Sequence, residues 1–133
     1  MSTFHLQIVT PDGIFFDGQA QRIRLRGTEG DFCIMKNHTD FVTALSTGVT
    51  RIILEDGTVK EAACNGGMVS VTKDITRVIA VTFEWAESID LQRAQAAKEQ
   101  AEQNLKDATN IKEQKLAEAK LKRAMTRIHL AQD

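Results

Sequence analysis

From the stretch Glu84–Asp90 to Asp133 the chain carries neither glycine nor proline, whereas its eight glycines and single proline all lie earlier. Alanine, glutamine, lysine and glutamate take over at the same point. The apolar residues switch there from a period of two to a helical period of about 3.6, so the chain reads as a β half followed by a helical half.

In the first half, Phe4, Leu6 and Ile8 alternate with His5, Gln7 and Val9, and Ile23 and Leu25 alternate with Arg22, Arg24 and Arg26. Alternation of this kind puts one face in a core and the other in water. Pro11–Gly13, Glu55–Gly57 and Asn65–Gly67 carry turn chemistry, because glycine supplies positive φ and Asp or Asn bonds back to the backbone. Strand-like runs lie at Gly48–Leu54, Thr58–Cys64, Met68–Thr72 and Ile75–Phe83. Many short strands with regular turns predict a β-sandwich or barrel.

The second half predicts two helices. Ser88 is placed to cap the first, with Asp90 in its first turn, where the helix dipole favours an acid. Ala94, Ala97, Ala101, Leu105 and Ala108 form one stripe. A break follows at Asp107–Asn110, and Asn110 with Glu113 three residues on is a restart of the capping-box kind. Ala117, Leu121, Ala124, Ile128 and Ala131 form a second stripe, with Met125 beside it. Two amphipathic helices and a short turn make an antiparallel hairpin. An alanine seam buries little area, so at about 25 cal/mol per Å² this hairpin is expected to be weakly held and able to open.

With 133 residues there is room for one compact domain and an appendage. The formal net charge of −1 gives no global field toward nucleic acid, and no nucleic-acid partner is expected. Cys33 and Cys64 fit buried thiols in a reducing compartment, and the scattered His5, His38 and His129 argue against structural zinc. The N-terminus lacks a basic segment followed by a long apolar one, so no signal peptide is expected, and no run approaches the roughly 18–20 apolar residues of a membrane helix.

Catalytic signatures are missing. There is no GxxxxGK[ST] phosphate loop, GxSxG, HExxH or EF-hand loop. Cys33, His38 and Asp40 form the one cluster with catalytic composition, and a Cys–His pair can make a thiolate nucleophile. The plainer reading puts Cys33 of the apolar FCIM run in the core and leaves His38 and Asp40 in a loop.

Thr10–Gly13, Glu29–Gly48, Asn65–Val71, Ser88–Glu102 and Leu121–Ala131 resemble, in order, segments of the epsilon subunit of bacterial F-type ATP synthases. The likeness covers nearly the whole chain. There are departures: where the family commonly reads G-x-x-G-I-L-P-x-H, this chain has Cys33 in place of Gly and Lys36 in place of Pro. The resemblance implies an α+β fold, with a ten-stranded sandwich of two five-stranded sheets over residues 1–85 and a two-helix hairpin over 86–133. It implies a non-catalytic rotor subunit at the cytoplasmic face of the bacterial plasma membrane, peripheral, with membrane contact only through the complex. Its implied partners are the gamma subunit, the membrane c-ring and, when the hairpin extends, the alpha/beta catalytic head, whose ATP hydrolysis the extended form inhibits.

The resemblance also implies roles for single residues. Glu29, Asp31 and His38 match the family segment that faces the c-ring; the alternative is a solvated loop, since exposed pairs contribute only ~0–1 kcal/mol. Ile89, Asp90, Arg93 and Ala94 match a motif associated with regulatory ATP, the sole implied ligand, with a part for magnesium left open. Arg93 suits phosphate, Asp90 suits an adenine amino group or a ribose hydroxyl, and Arg123 and Arg127 lie on one helix face. Glu84 matches a position lining the same pocket. Gln100 stands where relatives that bind ATP well have arginine. The alternative is an Asp90–Arg93 intrahelical pair worth about 0.2–0.5 kcal/mol and a solvated Arg123–Arg127 face. Lys120, Lys122, Arg123 and Arg127 match the basic face that meets the acidic base of the beta subunits. Rival readings are a free-standing ATP-sensing or adaptor module of the same fold and a small cysteine-dependent enzyme.

Overall fold

The computed structural model describes residues 2–132, which fall into two compact units divided between Trp85 and Ala86. The first contains β1 (Phe4–Thr10), β2 (Gly13–Gly27), β3 (Gly30–Met35), β4 (Phe41–Leu54), β5 (Val59–Val71), β6 (Thr76–Ala80) and β7 (Phe83–Trp85). β1 pairs antiparallel with β2 and parallel with β6, and the order β1-β6-β5-β4-β2 closes on itself. A five-stranded barrel results, with β3 added beside β2 and β7 beside β5.

Among the described residues, seven strands in one sheet, five of them closed into a barrel, therefore replace the expected ten in two five-stranded sheets. That count came with the family resemblance; β2, β4 and β5 are 15, 14 and 13 residues long, so single strands take up stretches that the implied count divides among more. Asn65–Gly67 is the clearest case. It lies inside β5, with Gly67 opposite both Leu45 of β4 and Ala80 of β6. Gly67 has φ +131°, and a Cβ there would meet the Ile79 carbonyl oxygen at 2.0 Å. The glycine bends a continuous strand against its neighbour and does not end it. The run Ile75–Phe83 divides instead, into β6 and β7, at Val81–Thr82. The turns at Pro11–Gly13 and Glu55–Gly57 form as expected: Leu54 accepts from Gly57 N at 3.0 Å, and Asp56 Oδ1 from Thr58 N at 2.9 Å.

The alternating apolar positions fill the barrel. Leu6, Ile8, Ile23, Leu25, Ile34, Ile52, Val69 and Val78 are all fully buried. Phe4, Phe16, Phe32, Phe41, Leu54 and Trp85 pack around this cluster.

The second unit opens with a single 3-10 turn at Ala86–Ser88, then α1 (Leu91–Asp107) and α2 (Ile111–Gln132), which pack on one another. Asp90, not Ser88, caps α1; its side chain accepts from Arg93 N. Ser88 is taken up in the 3-10 turn, which moves the helix start two residues on. At the other break, Asn110 Oδ1 accepts from Glu113 N at 2.9 Å, and Glu113 accepts from Thr109 N at 2.9 Å and Thr109 Oγ1 at 3.1 Å. That is the expected reciprocal restart. Ala94, Ala101, Ala117 and Ala124 are buried, as the stripes require, while Ala97 and Met125 are exposed and Leu130 is buried instead. Half-buried Lys98 takes the place on the α1 stripe assigned to Ala97. A long side chain can lay its stem along a seam and keep its charge in water.

Candidate functional site

The IDLQRA segment forms the start of α1. Ile89 N donates to the Ala86 carbonyl at 3.2 Å and closes the 3-10 turn, and Ala94 N donates to the Asp90 carbonyl at 3.0 Å as the helical ladder begins. Asp90 Oδ1 accepts from Arg93 backbone N at 3.1 Å. The contact between these two residues is therefore a helix cap and not the side-chain ion pair considered above. The cap holds the Asp90 carboxylate at the positive end of α1 and leaves the exposed Arg93 guanidinium outside the capping bond. Ile89 is half-buried, and Ala94 is buried in the helix seam.

On α2, Arg123 and Arg127 are both half-buried and stand one turn apart, as i, i+4 spacing requires. Buried Ala124 between them marks their side of the helix as the one near the seam. Lys120 and Lys122 are exposed. Lys120 lines a pocket of about 250 Å³ with Asn104, Asp107, Glu113, Leu116 and Ala117, near the connection between the helices. The Thr109 amide and hydroxyl hold the Glu113 carboxyl below its ordinary pKa. Gln100 donates its side-chain amide to Asn104 Oδ1 at 3.0 Å and so serves the helix surface. Of the seven residues assigned to a nucleotide, Glu84 lies apart in sequence and unit: it is half-buried in β7 of the first unit, opposite Ala63. The other six lie in the second unit.

The three residues assigned to a c-ring contact are not on one loop. Glu29 is exposed at the β2–β3 tip, and Asp31 accepts an ion pair from Arg26 Nε at 3.5 Å. His38 lies past the opposite end of β3, where its Nδ1 donates to the Thr39 carbonyl at 2.8 Å and its ring sits 5.0 Å from that of Phe41. At about 3.4 Å per residue, the six residues of β3 separate its two ends by roughly 17 Å. His38 instead joins Lys36, Asp40, His5, Lys73 and Asp74 around a pocket of about 520 Å³. No local spacing in the sequence links His5, in β1, and the adjacent Lys73 and Asp74, between β5 and β6, to the His38 segment.

Cys33 is exposed, not in the core. Phe32 and Ile34 take the inward positions of β3, so strand alternation sends residue 33 outward. Cys33 points outward from β3, His38 lies beyond the end of that strand, and no hydrogen bond joins them, so the Cys33–His38–Asp40 cluster does not assemble as a dyad. Cys64 is buried, and burial pushes its thiol up to about 11, which leaves it protonated and unreactive at neutral pH. Among the described residues no three His, Cys, Asp or Glu side chains are grouped to hold a metal ion, and no helix is long and apolar enough to cross a membrane.

Two family models cover the chain end to end. Residues 3–86 match the ATP synthase delta/epsilon chain beta-sandwich domain, and residues 87–132 match the delta/epsilon chain long alpha-helix domain. An ATP synthase epsilon chain from Caldanaerobacter subterraneus is 40% identical over 129 residues, covering 97% of this chain and 94% of that protein. One from Alkaliphilus oremlandii is 49% identical over 104 residues, 78% of this chain and 77% of its own length. One from Acetobacterium woodii, described as sodium ion specific, is 37% identical and covers 79% of each chain. Among solved structures, a chain of the Euglena gracilis mitochondrial ATP synthase shares the fold at TM-score 0.83 and 19% identity, covering 95% of this chain and 79% of that one. A chain of the Tetrahymena thermophila central stalk and c-ring does so at TM-score 0.68 and 16% identity, covering 96% of each. With a barrel and a two-helix unit matched in order, and relatives of this identity over most of its length, the chain belongs to the family of ATP synthase epsilon chains.

Proposed function

We propose that the chain is the non-catalytic epsilon subunit of an F-type ATP synthase central stalk, with its barrel as the fixed part and its helical hairpin as a movable brake. The observation that carries this reading is the order of the two matched domains, residues 3–86 and 87–132, over a chain that itself divides at Trp85. In this reading the barrel binds the gamma subunit and the c-ring at the cytoplasmic face of the membrane. The hairpin extends toward the alpha/beta head and restrains hydrolysis. Exposed Lys120 and Lys122, with Arg123 and Arg127, supply long-range attraction to an acidic partner, which salt weakens.

Regulatory ATP bound by the folded hairpin fits the same reading. Arg93, Arg123 and Arg127 are the phosphate ligands, and Asp90 is held by its cap at the start of α1 with one carboxylate oxygen left to accept from the nucleotide. Ile89, Ala94 and Glu84 complete the set by family position. Gln100, bonded to Asn104, adds no positive charge and keeps affinity low. ATP shifts the hairpin only as far as it binds one form better than the other. Phosphate contacts at Arg123 and Arg127 compete with those residues' contacts to the head.

The test is ATP hydrolysis by the cognate catalytic head with the full-length chain, with a chain ending at Ser88, and with neither. Slowing by the full-length chain alone supports the brake. Binding of both forms without slowing rejects it and leaves a coupling subunit, and binding of neither rejects the assignment to a synthase. Calorimetric titration of ATP into Arg123→Ala and Arg127→Ala tests the ligand site; unchanged affinity in both removes it.

A further inference from the structure

We propose that the outer face of β2, centred on Arg24 and Arg51 with Arg22 beside them, is a binding site for a phosphate group. The register places Arg24 directly opposite Arg51 of β4 on one side and Cys33 of β3 on the other. Ile23 and Leu25 between the β2 arginines are fully buried, so Arg22, Arg24 and Arg26 project outward. Directly opposed side chains start about 4.5–5.5 Å apart, and like charges in that relation repel. The sheet brings cations together here against their own electrostatics.

Local carboxylates leave that repulsion standing. Asp31 is paired with Arg26, whose stem lies over Gly48, where a Cβ would come within 2.6 Å of the Arg26 Cβ. Glu61 is the register partner of Arg51, yet no carboxylate of a described residue lies within 4.0 Å of the guanidinium nitrogens of Arg22, Arg24 or Arg51. Arg24 Nε is also screened from solvent and has no hydrogen-bond partner. A donor that has lost water and gained no acceptor carries the full cost of its desolvation, and an oxyanion at this place relieves both penalties together. A phosphate group fits better than a carboxylate. Its oxygens point to several sides and accept from two opposed guanidinium forks, whereas a carboxylate accepts along one edge. The group comes either from a soluble phosphate compound or from a phospholipid headgroup. The site uses none of the residues assigned to regulatory ATP or to the brake, so it stands or falls independently of those readings.

Titration of inorganic phosphate into the 15N-labelled full chain, at constant ionic strength against sodium chloride, follows the arginine Nε–Hε resonances. Saturable shifts at Arg24 and Arg51 are expected, with at least about tenfold weaker binding in Arg51→Gln, as the loss of a charge-assisted contact implies. Lys115→Gln, an exposed change of equal charge on α2, should bind as the parent does. Occupancy should also slow a neutral thiol reagent at exposed Cys33, while Cys64 stays buried. If Arg24→Gln misfolds, Arg22→Gln and Arg51→Gln carry the test, with folding checked from the amide spectrum. Co-sedimentation with phosphatidylglycerol vesicles, against phosphatidylcholine, separates the sources. Arg51-dependent vesicle binding assigns the phosphate to a lipid, and a saturable response to free phosphate alone assigns it to a soluble compound. Responses matched by chloride, or unchanged in Arg51→Gln, with no vesicle binding, overturn the proposal.

Discussion

The barrel and the hairpin are held together by different materials. Eight large aliphatic side chains disappear from solvent inside the barrel, from Leu6 to Val78, and each contributes about 1.5–3 kcal/mol. Among its described residues the helical unit buries Ala94, Ala101, Ala117 and Ala124, single methyl groups, with Leu130 as the one large buried side chain. Connectivity differs as well. The barrel joins Leu6 to Thr76 and Phe4 to Ala20, so no strand can leave without opening pairs far along the chain. The helices close their hydrogen bonds within four residues and meet along a shallow seam. A unit tied by long-range pairing thus precedes one held by a shallow seam, which is the contrast that the proposed movable brake requires.

That contrast can be broken by mutation. The largest effect is expected from Ile52→Ala, which empties a fully buried site and should cost about 4 kcal/mol in urea unfolding; a loss below about 1 kcal/mol would mean the barrel core is not tightly packed. Gly67→Ala should follow at about 3 kcal/mol, because the new Cβ meets the Ile79 carbonyl and φ is +131°. Ala101→Gly should cost only about 1 kcal/mol and should lower hydrogen-exchange protection in α1 while leaving the barrel amides unchanged. Equal loss in both units would show that they do not open separately.

The smallest effect is a pH dependence confined to the hairpin connection. Glu113 has its pKa lowered by the Thr109 amide and hydroxyl, so its contribution is present above the ordinary carboxylate value of 4.5. That contribution fades as pH falls through the depressed folded value. The protection factor of the Thr109 amide, its exchange rate taken relative to the intrinsic rate at the same pH, should therefore fall on acidification, and Glu113→Gln should remove that pH dependence. An unchanged profile in the variant would mean that the bond does not hold the connection.

Much of the fold could be read from patterns that are local. The two halves, the break at Asp107–Asn110, the Asn110–Glu113 restart and most of both alanine stripes depend on residues within four positions of one another. Asn65–Gly67 has the composition of a turn, yet neighbours at Leu45 and Ala80 pair on both sides of it and keep the strand running. Ser88 and Asp90 are both good caps, and the 3-10 turn ahead of α1 leaves that role to Asp90. Glu29, Asp31 and His38 are close in sequence, but an extended strand of six residues lies among them and holds the ends apart.

What the sequence determined alone is whatever follows from short-range sterics and hydrogen bonding: helix against strand, where the second helix restarts, which side of a strand is apolar. Membership of the epsilon family was also legible, because ordered motifs survive in the linear text. Only the tertiary structure decided that five strands close into a barrel, that Cys33 faces outward, and that Arg24 and Arg51 are set against each other from strands 27 residues apart. Register across strands is chosen by the best burial of all pairs at once, and no window of neighbouring residues contains that information.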